Sequence, residues 1–252
     1  MRFSGVFGPA GLVAAVLVLA GAAQAFFPSG SEVRKNLQTT VGLVKAFEIE
    51  MSSPRWPELT IKVWYQDRKW RTEWVLRENG EGVVVRAAVG VGLKTLARFG
   101  FDDQAPVPGP VLRQIPLEMW IERGLDSSLM AYTFLNGRPA LVLGRNATEP
   151  LSVGPTLAVD NETWVPLALT MPGGGGLVWR EHKSVGNILL PHGLTVQDDQ
   201  GQTVDLSIVW RGVGKAVPFE TFDPQSFGRI FGRAVPRSLT GQPYDVLLTH
   251  NF

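Results

Sequence analysis

The stretch LTIKVWYQDRKWRTEWVLRENGEGVVVRAAV, residues 59–89, decides the fold. Leu59, Ile61, Val63 and Tyr65 alternate with Thr60, Lys62 and Trp64, and Trp70, Trp74 and Leu76 then oppose Lys69, Arg71, Glu73 and Arg77. A period of two belongs to strands that bury one face. Gln66-Asp67 and Glu78-Asn79-Gly80 carry turn chemistry between the runs, and a Val/Ala run over 82–89 follows with Arg86 facing outward. Phe47, Ile49 and Met51, alternating with Glu48 and Glu50, place a further strand ahead of them. Four sequential strands joined by short turns make an antiparallel meander.

Working outward, a short polar helix over 31–40, with Ser31 as its cap, precedes the meander. The period breaks between Gly90 and Gly124. Pro106, Pro108 and Pro110 stiffen that connection, and Pro116 opens a helix over 116–123 whose Leu117, Trp120 and Ile121 share one face. Alternation resumes at 129–135, turns at Asn136-Gly137 and continues at 140–144, 164–171, 177–183, 188–197 and 204–210. The sum is about ten strands, all joined closely enough for antiparallel pairing. Asp223 and Pro224 start a helix that Gly232 ends, and in the tail beyond it the run 244–248 reads as an edge strand. With no low-complexity linker, the chain reads as one domain over 26–232 and a tail over 233–252.

Residues 1–25 read as an address. Arg2 is the sole charge before Glu32, residues 11–23 are apolar or small, and Ala23-Gln24-Ala25 supplies an A-x-A site. That layout is a cleavable secretory signal, diluted by Gly8, Pro9, Gly11 and Gly21 below what a spanning helix wants. The expected compartment is therefore outside the cytoplasm. The 24 Lys+Arg against 23 Asp+Glu, with no basic run, argue against nucleic acid as a partner. The absence of Cys from all 252 residues removes thiol nucleophiles, Cys-ligated metal and lipid attachment after the cleavage site.

The search for chemistry returns little. His182, His192 and His250 have no metal-ligand spacing, no G-x-S-x-G elbow occurs, and the glycine runs lack the Lys-Ser/Thr of a phosphate loop. Arg71 with Glu73 reads as a solvated pair. Asn146-Ala147-Thr148 and Asn161-Glu162-Thr163 match a glycosylation acceptor pattern that carries no weight in a bacterial source. What stands out is aromatic content, eight Trp and 13 Phe. A sheet of this many strands must curl, and its concave face then needs a plug or a ligand.

Taken in order, the secretory signal, N-terminal helix, Trp70-Arg71-Thr72-Glu73 (W-R-x-E), Pro-rich helical insertion and the D-x-x-T-x-x-P-L segment from Asp160 to Leu167 resemble the LolA/LolB-like family of periplasmic lipoprotein carriers. The resemblance covers most of 44–227 and departs from the family after Glu73 and in the tail from Arg233. It implies a mainly β (α+β) fold, a curled antiparallel sheet forming a half-open barrel with helices over its concave face. It also implies a ligand, the acyl chains of a lipid or lipoprotein, with membrane proteins of a sorting pathway as further partners and no cofactor.

Apolar parity puts Ile61, Val63, Trp70, Trp74, Val85, Leu167, Leu169, Trp179, Leu206 and Ile208 on the concave face, with Leu117, Trp120 and Ile121 as a lid over its mouth. A non-enzymatic carrier of an acylated ligand needs no catalytic group, in keeping with the empty search. The competing reading is a sensor or scaffold of the same fold that binds a protein partner through a filled interior; an enzyme has the least support. Protein purified from its own compartment should begin at Phe26 on N-terminal sequencing, and retention of residues 1–25 would overturn the assignment of compartment.

Overall fold

The computed structural model describes residues 28–102, 105–145, 154–237 and 239–248. The segment expected to be a secretory signal, the Asn146 acceptor triplet and His250 lie outside them. Twelve strands form one antiparallel sheet: β1 Ala46–Ser53, β2 Trp56–Gln66, β3 Lys69–Glu78, β4 Glu81–Val91, β5 Lys94–Phe99, β6 Met130–Leu135, β7 Arg138–Leu143, β8 Thr156–Asp160, β9 Pro166–Thr170, β10 Gly176–Val185, β11 Ile188–Gln197 and β12 Thr203–Val213. Their order is β5-β4-β3-β2-β1-β12-β11-β10-β9-β8-β7-β6. Every neighbour is a sequential hairpin partner except β1 and β12, which pair through Phe47↔Val213, Met51↔Ile208 and the positions between. Two meanders are thus joined at the chain's first and last strands, and the sheet stays open between β5 and β6.

The tight turns follow from residues that tolerate positive φ. Asp67-Arg68 (φ 47° and 71°), Asn79-Gly80 (50° and 87°) and Asn136-Gly137 (52° and 77°) each put both central residues in the left-handed region, as a two-residue hairpin of this twist requires.

Because β5 and β6 are the free edges, residues 100–129 must cross the open side to connect them. They carry α2 (Gly109–Leu112) and α3 (Leu117–Glu122), and α1 (Gly30–Gly42) packs against α3. α1 is capped by Ser29, which accepts from Glu32 N at 3.2 Å; Ser31, expected as the cap, is already helical. The main core lies between the sheet's concave face and this crossing segment, from Phe47 and Ile49 through Val111 and Leu112 to Leu190 and Leu194. On the convex face a 3₁₀ turn (Phe219–Phe222) and α4 (Pro224–Phe231) cover Ala87, Val89 and Phe99. Asp223 caps α4 by accepting from Gln225 N and Ser226 N. The run 244–248 is a short helix, α5 (Tyr244–Leu248), rather than an edge strand, because Val246 and Leu247 have the concave core to bury into.

Further expectations need correction. The expected strands omit β5 and β8: β5 alternates in exposure, but Leu96 stands on its exposed side and Thr95 on its inner one, and all five residues of β8 are buried, which hides the period. Arg71 is not solvated. Its guanidinium reaches Glu73 Oε1 from Nε at 2.9 Å and lies 5.6–5.9 Å from the rings of Trp64, Phe227 and Phe231 beneath α4. Arg86 faces inward, since a register shift between Trp74 and Val75 sets it opposite Trp74; it donates to the carbonyls of Gly100 and Leu239. Leu167 is the one predicted concave residue on another face. β9 shifts register where Val159 pairs with Pro166 and Ala158 with Ala168, so Leu167 is the extra residue of a bulge and packs with Ala140 and Val165.

Gly90 shows how tightly the concave face is filled: a Cβ there would lie 2.4 Å from Trp70 Cζ2 and 2.5 Å from the Lys94 carbonyl oxygen. Gly90→Ala should cost about 1–3 kcal/mol of unfolding free energy. Gly30→Ala, where a Cβ meets nothing within 4 Å, should stay within about 0.5 kcal/mol of the parent in the same denaturant titration.

Candidate functional site

The centre of the concave face is occupied by the protein itself. Residues 105–112 thread across it, and the Trp179 indole donates to the Gly109 carbonyl at 3.2 Å while Trp70 donates to Gly92 at 2.9 Å. Gly109 sits close under Leu194: a Cβ there would lie 2.7 Å from Leu194 Cδ2, so that methyl would have to shift. From the other side Tyr244 stacks on Trp74 (6.5 Å) and Leu247 closes over Leu206 and Met51. What is left is a void of about 40 Å³ lined by Ile61, Trp74 and Leu206, room for a water and not for an acyl chain. Val63, Trp70, Val85, Leu169, Trp179 and Ile208 are packed core.

The open space lies at one end of the sheet. A cleft of about 420 Å³, open on one side, is bounded by Leu37, Gln38, Val41 and Gly42 of α1, by Val44, Lys45 and Tyr65, by the Asp67-Arg68 turn, by residues 112–117 and Trp120, and by Leu157 and Pro166 of β8 and β9. Of the predicted residues, Leu117 and Trp120 line it, and Ile121 packs at the margin of the core. α3 therefore covers the cleft as a lid would. Its Glu118 accepts from Gln38 Nε2 at 2.8 Å and lies 3.6 Å from Arg34, which ties the lid to α1 by exposed polar contacts. Both caps over the cleft are helices of modest length.

Sequence reasoning foresaw α1 as a helix but not as a wall of the cleft, and it missed Tyr65, Leu157, Pro166 and the pair Arg113-Gln114 as lining. One signal was present: Arg113 is the lone charge in APVPGPVLRQIPL, residues 105–117. Pro166 lies within the D-x-x-T-x-x-P-L segment, whose other residues fix its position. Asp160 Oδ1 accepts from Glu162 N, Thr163 N and Thr163 Oγ1 at 2.8–3.0 Å, and Oδ2 lies 3.2 Å from Arg138 Nε, so the turn before β9 is locked. Burial pushes the Asp160 carboxyl up, but these hydrogen bonds and Arg138 together hold it below the usual carboxylate range.

Arg113 is 4% exposed and Gln114 2%. Burial lowers the Arg113 guanidinium to about 10. His182, on β10, is lowered to about 4 by burial first and then by the charges of Arg113 and Arg138. Among the described residues no group of three His, Asp or Glu is placed to hold a metal, and no helix is long and apolar enough to cross a membrane.

No family model matches the chain, and no curated protein matches it. Solved structures do. The chain is similar to a LolA superfamily protein, NE2245 from Nitrosomonas europaea, at 10% identity and a TM-score of 0.49, over 78% of this chain and 98% of that one. A DUF1329 family protein from Desulfovibrio piger matches at 9% identity and 0.45, over 78% and 97%. An outer membrane lipoprotein-sorting protein domain from Vibrio parahaemolyticus, described as putative, matches at 12% identity and 0.42, over 78% and 98%. Two of the three carry the names of the group that the sequence resembles. At these scores the likeness adds nothing about the ligand, and the functional reading rests on the cleft.

The His182 shift sets a pH dependence. Its folded value lies below the unfolded value of 6.5, so the folded state resists protonation, and the stability this contributes is full above pH 6.5 and is lost as pH falls toward 4. The melting temperature should drop across that window, and His182→Gln should flatten the drop; an unchanged slope in the variant would contradict the assignment.

Proposed function

We propose that the protein is a non-enzymatic carrier that holds an acylated ligand, a lipid or the acyl chains of a lipoprotein, in the cleft beneath α1 and α3, in a compartment outside the cytoplasm. The observation that carries the reading is the cleft itself. About 420 Å³ is within the usual range of small-molecule sites, and its walls are mainly Leu, Val, Ile, Pro and aromatic side chains. Burying methylenes there needs no catalytic group, at about 0.8 kcal/mol for each CH₂. The lid is a six-residue helix tied to α1 through exposed polar contacts and to the core through Leu117 and Trp120, so reversible loading requires those two side chains to move. A place in outer-membrane lipoprotein sorting follows from the sequence resemblance and belongs to the same proposal.

The filled centre of the concave face favours a second reading, a scaffold of the same fold that presents its outer surface to a protein partner. The two readings separate on whether the cleft takes a chain. Val41→Trp should fill it and weaken binding of a fluorescent C12 fatty-acid probe at least about tenfold, whereas Ile61→Val, at the central void, should change it less than about twofold. Equal binding by the parent and Val41→Trp would remove the cleft from the account.

A further inference from the structure

The cleft wall contains polar groups that a purely apolar cargo leaves unused. Arg113 Nη2 donates to the Leu189 carbonyl at 2.8 Å, but its Nε meets no acceptor, and neither amide atom of Gln114 has a partner among the described residues. None of the ion pairs among the described residues includes Arg113. Of the other buried guanidiniums, Arg71 has Glu73 and three aromatic rings, while Arg86 has two carbonyls and the faces of Trp74 and Phe101 but leaves Nη1 without a partner and lines no part of the cleft. A buried cation without a counter-ion is costly, and where it lines an open cleft a bound anion can supply the missing charge. At the rim stand Lys45 and Arg68, both exposed and neither ion-paired among the described residues, against one acid, Asp67. Arg68 Nη2 lies 3.3 Å from the Met119 sulfur, a weak acceptor.

We propose that the cleft is built for an anionic amphiphile: an acyl chain whose carboxylate or phosphate head is received by Arg113 and Gln114, with Lys45 and Arg68 drawing it to the rim. The inference rests on the acyl-carrier reading and adds the charge of the cargo. Arg113 offers the guanidinium fork that suits either oxyanion, and the Gln114 amide adds a donor beside it. An uncharged chain would bury the same methylenes and leave both groups unsatisfied, so affinity should divide according to the head.

The test is isothermal titration of the full chain with laurate, dodecyl phosphate and dodecanol, which share a C12 tail. Either anion should bind at least about tenfold more tightly than dodecanol, the effect expected of one charge-assisted hydrogen bond in a dry site, and the tighter anion names the head. Arg113→Met should lose that advantage, keep dodecanol affinity within about twofold, and melt no lower than the parent without ligand, since it removes an unpaired buried charge. Gln114→Leu, which leaves the cation in place, should lose part of the advantage and serves if Arg113→Met does not fold. Equal affinities for dodecanol and both anions, or full laurate affinity in Arg113→Met, would overturn the anionic head while leaving the acyl carrier standing. Failure of all three ligands to bind would overturn the carrier reading and this inference with it.

Discussion

The antiparallel pairing of β1 with β12 is the constraint on which the molecule depends. It places the first and last strands side by side at the middle of the sheet and sends the centre of the chain to the two outer edges. The edges β5 and β6 cannot be joined by a turn, so 100–129 has to pass over the concave face. That passage supplies the plug, 105–112, and the lid, α3, in one continuous segment. The position of the cleft follows: among the described residues the plug fills the centre, and the cleft lies where α1 and α3 bridge the end of the sheet.

Packing at the centre shows why an all-apolar parity set need not be a binding site. The indole nitrogens of Trp70 and Trp179 would be costly to bury unpaired, and both find carbonyls at glycines, Gly92 and Gly109. Gly90 admits the Trp70 ring and the Lys94 carbonyl where a Cβ would collide, and a Cβ at Gly109 would lie 2.7 Å from Leu194 Cδ2. These contacts are the signature of a finished core. Thr72 Oγ1 and Arg86 Nη1 also lack partners there, but at the cleft wall Gln114 lacks them at both amide atoms and Arg113 at Nε. A protein tuned for stability alone would place apolar side chains at these positions, and the anionic-head proposal assigns the spare hydrogen-bonding capacity of Arg113 and Gln114 to a ligand.

The fold was legible where period and turn chemistry act locally. Alternation in Leu59, Ile61, Val63 and Tyr65, the Asn79-Gly80 and Asn136-Gly137 turns, and the Asp223-Pro224 helix start each stand where the sequence puts them. What could not be read depends on irregularities a period does not announce. The bulge at Leu167 reverses one side chain, the register shift at Trp74 turns Arg86 inward, and the fully buried β8 has no alternation to see. The cleft escaped for a tertiary reason. Parity assigns residues to a face, but which part of the face the crossing segment covers is decided by the path from β5 to β6. Leu117 and Trp120 were found because their helix has one apolar side, and Leu157 and Pro166 were missed because they meet that helix only across the curl of the sheet.

The central claim is that cargo sits at the end of the sheet and not at its centre. A crystal structure of the protein with a terminally brominated C12 acyl chain locates the tail by anomalous scattering. The account predicts bromine between α1 and α3, in contact with Leu157 or Pro166. Bromine between Trp74 and Leu247 with α5 displaced, or no bromine within the protein, would contradict it.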